Sequence, residues 1–300
     1  MKISIVYIAN MTTQESAELI HMLLEKNEIE QAETLKRQIF PKTLYKYKKL
    51  DSNAINGIIH NSLWLSTPEN LNDPYDCLIS LNFEQYIEEY FSVHKFEDDF
   101  YRFYNVRLTD QEVIEIRNSQ NKLEAYQELC AKKSIDKYIQ KPADIIRKEI
   151  VETLQKNRPS VYLGCLSEIC DSILMWSHYA DNGKGICIEY SNIPQKSTFP
   201  VAYSNRLPTF SLSKKNIPTS FLIKAKDWSY ESEWRIVRID PNNSEKFNQN
   251  HKIVAPSRIF LGPRFNQNDK NVIENLRLIA DFSKIELVQL KLHYEEFRLV

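Results

Sequence analysis

Apolar side chains between residues 12 and 39 recur at helical spacing, with Leu19, Met22, Leu23, Ile29, Ala32, Leu35 and Ile39 standing among charges and the pattern stopping before Pro41. This predicts an N-terminal helical arm over residues 1–40. From Thr43 the period shortens. LYKYKKL alternates as a strand, DSNAINGIIHNS reads as a helix opened by Asp51 or Ser52, and LWLS is a second short strand. Residues 84–157 hold no glycine, are rich in Glu, Lys, Gln, Tyr and Leu, and carry Thr109 and Glu112 at capping-box spacing. They read as a helical insertion. Beyond Pro159 strand patterns return in VYLGCLSEI, KGICIEYS, FPVAYS, EWRIVRI, RIFLG and IELVQLKL, with one helix at about 269–281 before the last of them. The expected fold is therefore α+β: a single domain over residues 41–300 whose mixed or split antiparallel sheet is interrupted at about 84–157, preceded by the arm.

Composition narrows the function classes. Thirty-nine basic and 40 acidic residues leave a net charge of −1, so no global field for a polyanion is present. Only five glycines occur, and neither GxGxxG nor GxxxxGK[ST] is among the motifs, which removes the sequence support for a Rossmann dinucleotide site and a P-loop. Five cysteines without a CxxC pair suit a reducing, cytoplasmic compartment. The apolar N-terminal run is too short for a membrane span and lacks a cleavage signature, so neither membrane nor export is expected. His21, His60, His94, His178, His251 and His293 are isolated, without the spacing of a zinc site, and no metal is expected from them.

Candidate chemistry gathers in three polar-aromatic islands. In LWLSTPENLNDPYD, Trp64, Ser66, Asn72, Asp73, Tyr75 and Asp76 combine stacking surfaces with short polar groups, although ordinary turn chemistry also accounts for Asn72 and Asp73. In LGCLSEICDSILMWSHYADNGKGICIEY, Trp176, His178 and Tyr179 precede an Asn182-Gly183 turn and a strand that carries Glu189. The titration range of His178 suits acid-base work, while a lone histidine beside aromatics is also a common packed group. In IKAKDWSYESEWRIVRI, Lys224, Trp228, Glu231, Glu233 and Arg235 precede or enter a strand whose alternation places Glu233, Arg235 and Val237 on one face and Trp234 and Ile236 on the other. Glu233 and Arg235 either pair with each other or present a rigid carboxylate to a ligand.

These blocks resemble a bacterial and phage family, Domain of Unknown Function 2971. The resemblance rests on LYKYKKL with LWLSTPENLNDPYD, then CLSEICDSILMWSHYADNGKGICIEY, FPVAYS and KAKDWSYESEWRIV, in order over about residues 43–239. The family carries no established activity. The strand-helix-strand order followed by a late glutamate also resembles the ADP-ribosyltransferase superfamily, with Glu231 or Glu233 as that glutamate. Lys46 or Tyr47 stands where histidine or arginine is expected, and lysine lacks the planar fork of arginine.

That second resemblance implies NAD as co-substrate and Glu233, with His178 and Tyr179, as the catalytic candidates. Trp64, Tyr75 or Trp176 would stack on a base, and Lys46, Arg235 or Lys224 would meet the pyrophosphate. The implied function is a toxin-like or antiphage effector that consumes NAD, by transfer to a nucleic-acid or protein acceptor or by hydrolysis. Two other classes fit the same residues. One is a magnesium-dependent nuclease using Asp73, Asp76, Glu189 and Glu233, with Lys224 or Lys226 at the phosphate, which requires those carboxylates to converge. The other is a non-catalytic sensor of a nucleotide or phage component, its insertion serving a partner or a homo-oligomer.

Overall fold

A computed structural model describes residues 11–135, 143–156, 160–212, 217–240, 249–266, 268, 270–283 and 285–300. Within residues 1–40, positions 1–10 lie outside the described residues. The rest of the arm forms two antiparallel helices, α1 (Thr13–Glu25) and α2 (Ile29–Ile39), closed on a small core of Ile20, Leu23, Ala32 and Leu35. Thr12 and Glu15 cap α1 reciprocally, which satisfies two N–H groups that the first turn leaves without partners.

Strand β1 (Thr43–Lys48) follows, then α3 (Ser52–Ile59), whose first-turn N–H of Ala54 donates to Asp51 at 2.9 Å. The LWLS segment yields β2 (Ser62–Trp64). After β3 (Ser80–Leu81) come five helices of the insertion: α4 (Phe83–Ser92), α5 (Phe96–Tyr104), α6 (Asp110–Asn118), α7 (Lys122–Lys132) and α8 (Ala143–Lys156). The Thr109–Glu112 capping box opens α6 as its spacing predicts. The chain then re-enters the sheet through β4 (Ser160–Ser167), turns through α9 (Ile173–Tyr179), and continues as β5 (Ile186–Ser191), β6 (Thr198–Pro200), β7 (Ala202–Ser204), β8 (Thr209–Phe210), β9 (Ile223–Ala225), β10 (Glu233–Asp240), β11 (Asn250–Lys252) and β12 (Arg258–Leu261). Helix α10 (Lys270–Ser283) leads to β13 (Glu286–Gln289).

Seven strands form the main sheet in the order β13-β12-β5-β1-β4-β10-β6. Every pair is antiparallel except β12 with β13, where the α10 crossover supplies the length that a parallel pair needs. The fold is α+β with a mixed sheet, as expected. Two details differ from the pattern reading. β2 pairs with β11 outside the main sheet, and FPVAYS breaks at Val201 into β6, on β10, and β7, on β9. Alternation identifies a strand but not its neighbour, and here the neighbours come from remote segments.

The middle of the sheet positions the site. β1 pairs with β5 along its whole length, and β4 pairs with β10 from Ser160–Asp240 to Ser167–Glu233, whereas the backbone pairing of β1 with β4 is confined to Tyr45 and Ser167. One face of the sheet is covered by α3 and α10 over a core that includes Leu44, Ile58, Leu166, Ile188, Trp234 and Ile236. The other face carries two smaller apolar clusters, one around Tyr47, Trp176 and Phe260 and one around Cys77, Leu163 and Phe221. Among the described residues no helix is long and apolar enough to cross a membrane.

Candidate functional site

Between those two apolar clusters lies a group of buried charges built on β10. Alternation sends Trp234 and Ile236 into the main core and leaves Glu233 and Arg235 on the opposite face. The Arg235 guanidinium donates to both oxygens of Asp76, at 2.8 and 2.6 Å, to both oxygens of Glu233, at 2.7 and 3.2 Å, and to the Phe221 carbonyl at 2.8 Å. Such bidentate, charge-assisted bonds hold both carboxylates rigidly.

Lys224, placed opposite Tyr203 by the pairing of β9 with β7, donates to Glu231 at 2.5 Å and to Glu233 at 3.1 Å. Ser232 makes this sharing feasible. Its left-handed backbone (φ 44°, ψ 55°) bends the chain between a 3-10 turn and the strand, so that Glu231 and Glu233, two residues apart, both reach one ammonium. For a serine this conformation costs about 1 kcal/mol, and it is fastened by Ser167 Oγ donating to the Glu231 carbonyl at 2.6 Å and Glu168 N donating to the Ser232 carbonyl at 3.0 Å.

The two glutamates differ electrostatically. Burial acts to raise the Glu233 carboxyl, but Arg235 and Lys224 outweigh it and hold it well below the usual carboxylate range. Burial pushes Glu231 up, Lys224 opposes this, and the neighbouring Glu233 adds to it, so that Glu231 ends above its ordinary value. Glu233 is thus held as a fixed charge, and Glu231 is the more readily protonated of the two. Burial tends to discharge Lys224, yet Glu233 and Glu231 together keep it protonated. With Glu231 ionised, this group holds three carboxylates, Asp76, Glu231 and Glu233, against two cations, Lys224 and Arg235.

A cavity of about 240 Å³ opens on this group where β1 and β4 diverge. Of the residues singled out in the sequence, Lys46, Tyr47, Trp64, Ser66, Asn72, Asp76, Tyr179, Lys224, Glu231 and Glu233 line it. Lys46 reaches from β1 to the Cys165 carbonyl on β4 at 2.8 Å, and Trp64, 52% exposed, stands at the edge. Tyr179 donates to Glu231 at 2.5 Å and accepts from Asn72 at 3.0 Å.

The other named residues lie off the cavity wall. Arg235 sits behind Glu233 as its clamp, and Trp228 lies over the Lys224 ammonium at 4.9 Å. Trp176 is buried in the Tyr47 cluster, its N–H held by the Cys170 carbonyl, and so presents no face to a ligand. His178 is exposed, with Nδ1 2.8 Å from the Tyr230 hydroxyl. Tyr75 is exposed, Asp73 accepts from the Tyr75 N–H, and Glu189 accepts from Tyr45 and Ser257.

Among the described residues no group of three or more His, Cys, Asp or Glu side chains is placed to hold a metal ion. Tyr45, Cys165, Ser167 and Met175 also line the cavity and escaped the sequence reading. Tyr45 was accessible to it, since alternation in LYKYKKL puts Tyr45 on the same face as Tyr47. Burial and the adjacent Glu233 push the Cys165 thiol up to about 12, so it is no thiolate nucleophile.

Residues 175–236 match the family described as Protein of unknown function (DUF2971). The match runs from Met175 on α9 to Ile236 on β10 and so contains Tyr179, Lys224, Glu231, Glu233 and Arg235. It is narrower than the 43–239 stretch over which the blocks resemble the family, and Lys46, Trp64, Asn72 and Asp76 fall outside it. No curated protein and no solved structure matches the chain.

Proposed function

We propose that this protein takes a nucleotide-like ligand into the divergence of β1 and β4 and cleaves the N-glycosidic bond of NAD there, passing ADP-ribose to water or to a macromolecular acceptor. The observation that carries this reading is the Glu231–Glu233 pair held on one lysine at the cavity wall. Two adjacent carboxylates in a site of low dielectric favour a cation beside them, and both the nicotinamide ring of NAD and the ribosyl centre formed on cleavage are cationic. The succession of β1, α3 and β2 with the late glutamates beside β10 supports an ADP-ribosyltransferase-like reading of the fold.

In this scheme the bond from C1′ to the nicotinamide nitrogen breaks, and nicotinamide leaves with the bonding pair as a neutral base. The positive charge on C1′ and the ring oxygen faces the fixed Glu233 carboxylate. A water or acceptor hydroxyl then bonds to C1′ and gives its proton to Glu231. Glu231 therefore takes the role of base, and Glu233 that of the fixed charge at the ribosyl centre. A cavity of about 240 Å³ is below the usual range for a whole ligand and suits the riboside end, with the remainder extending past Trp64. Lys46, whose ammonium keeps donors beyond the one given to Cys165, stands ready for a phosphate. Consuming NAD or modifying an intracellular acceptor would suit a toxin-like or antiphage effector.

Purified protein incubated with NAD labelled in its adenylate half, alone and with cellular RNA, DNA or protein, tests the reading. Free labelled ADP-ribose is expected from hydrolysis, and label on one of the macromolecules from transfer. Intact NAD in all arms would overturn it.

A further inference from the structure

The loop after β2 and the base beneath it are joined by two hydrogen bonds in series. Asn72 Nδ2 donates to the Tyr179 hydroxyl, and that hydroxyl donates to Glu231 Oε1. Asn72 is exposed and lines the cavity, so an entering ligand meets it. Burial and the adjacent Glu231 hold the Tyr179 phenol well above the ordinary tyrosine range, so it stays the donor. A hydroxyl that accepts a hydrogen bond becomes a stronger donor, because each bond polarises the next.

We propose, resting on the reading of Glu231 as the base, that Tyr179 is a positioning residue through which Asn72 sets the basicity of Glu231. A ligand whose acceptor oxygen takes the Asn72 amide weakens the Tyr179 donation, and Glu231 becomes the stronger base when the cavity is filled. In the empty site Glu231 is held less reactive, which couples proton abstraction to occupancy. The other groups around Glu231 are Lys224 from β9, Glu233 from β10, Tyr203 from β7 and the preceding Tyr230, with Arg235 and Asp76 beyond Glu233. All of these are unchanged by substitution at Asn72 or Tyr179.

The test is a carbon-13 titration of the Glu231 carboxyl in glutamate-labelled full-length protein, its signal assigned by loss in Glu231→Gln. Wild type, Asn72→Ala, Tyr179→Phe and the double variant are compared. Tyr179→Phe keeps the ring and is expected to raise the midpoint by about one pH unit, the order of a hydrogen bond to a charged group. Asn72→Ala is expected to raise it by less, and the double variant to match Tyr179→Phe alone, because Asn72 acts only through the phenol. An unchanged midpoint in Asn72→Ala, or additive shifts in the double variant, would overturn the proposal. The titration needs no turnover, so a failure of NAD cleavage and a failure of this coupling are read separately.

Discussion

Arg235 shows how much of the site is legible one residue at a time. Alternation in EWRIVRI puts Glu233 and Arg235 on one face, and the structure joins them at 2.7 Å. Asp76, the second carboxylate on the same guanidinium, lies 159 residues away in the chain, and no local pattern names it as the partner. The same division separates two substitutions. Arg235→Met leaves the buried Asp76 without its cation and Glu233 with Lys224 alone, and is expected to lower stability by about 3–5 kcal/mol. Glu231→Gln removes one of the two carboxylates on Lys224, leaves Lys224 with Glu233, and is expected to stay within about 1 kcal/mol of wild type while lowering turnover at least a hundredfold. Urea unfolding of the two variants beside wild type checks the contrast. Equal losses would mean that Glu231 is a structural counter-ion like Glu233.

At the scale of elements, periodicity located most helices and strands, and tertiary pairing decided what it could not. The arm illustrates both. Its helical spacing is plain, but Ile39 and Phe40 dock it on the main core together with polar groups that spacing does not reveal: Gln14 exchanges two hydrogen bonds with the Tyr203 backbone, and His21 Nε2 donates to the Pro200 carbonyl at 3.0 Å. Tyr203 in turn accepts from the Glu233 N–H at 2.8 Å, so α1 buttresses the start of the strand that bears the site. Burial lowers His21 to about 4, against the smaller effects of Pro200 and Glu25. The unfolded chain binds this proton from about pH 6.5 downwards and the folded chain does not until about pH 4. The contribution is therefore complete above 6.5 and is lost as the pH falls through that window, by roughly 3 kcal/mol in total. Unfolding midpoints at pH 7 and pH 5 are expected to fall less in His21→Gln than in wild type. An equal fall would place the pH dependence elsewhere.

For the whole molecule, the sequence order anticipated an α+β fold with an interrupted sheet, and the three islands do contribute to one cavity. Their convergence is partial. Trp64, Asn72 and Asp76 from the first island, Tyr179 from the second and Lys224, Glu231 and Glu233 from the third meet there, whereas His178 and Glu189 point elsewhere. The reason is geometric. A strand or helix shows only one face to a given cavity, and an island of mixed residues cannot deliver all of them. The decisive feature, the single meeting point of β1 with β4, depends on which strands adjoin which, and that is set by the complete sheet. The proposed chemistry therefore depends on the reactivity of the carboxylate pair at that opening. Nicotinamide release from NAD by wild type, Glu231→Gln and Glu233→Gln, each first shown to be folded, measures this most directly. Release by wild type that falls at least a hundredfold in Glu231→Gln, the order expected for loss of a general base, is the predicted result. Release that persists in Glu231→Gln, or its absence in wild type with every acceptor, would contradict the account.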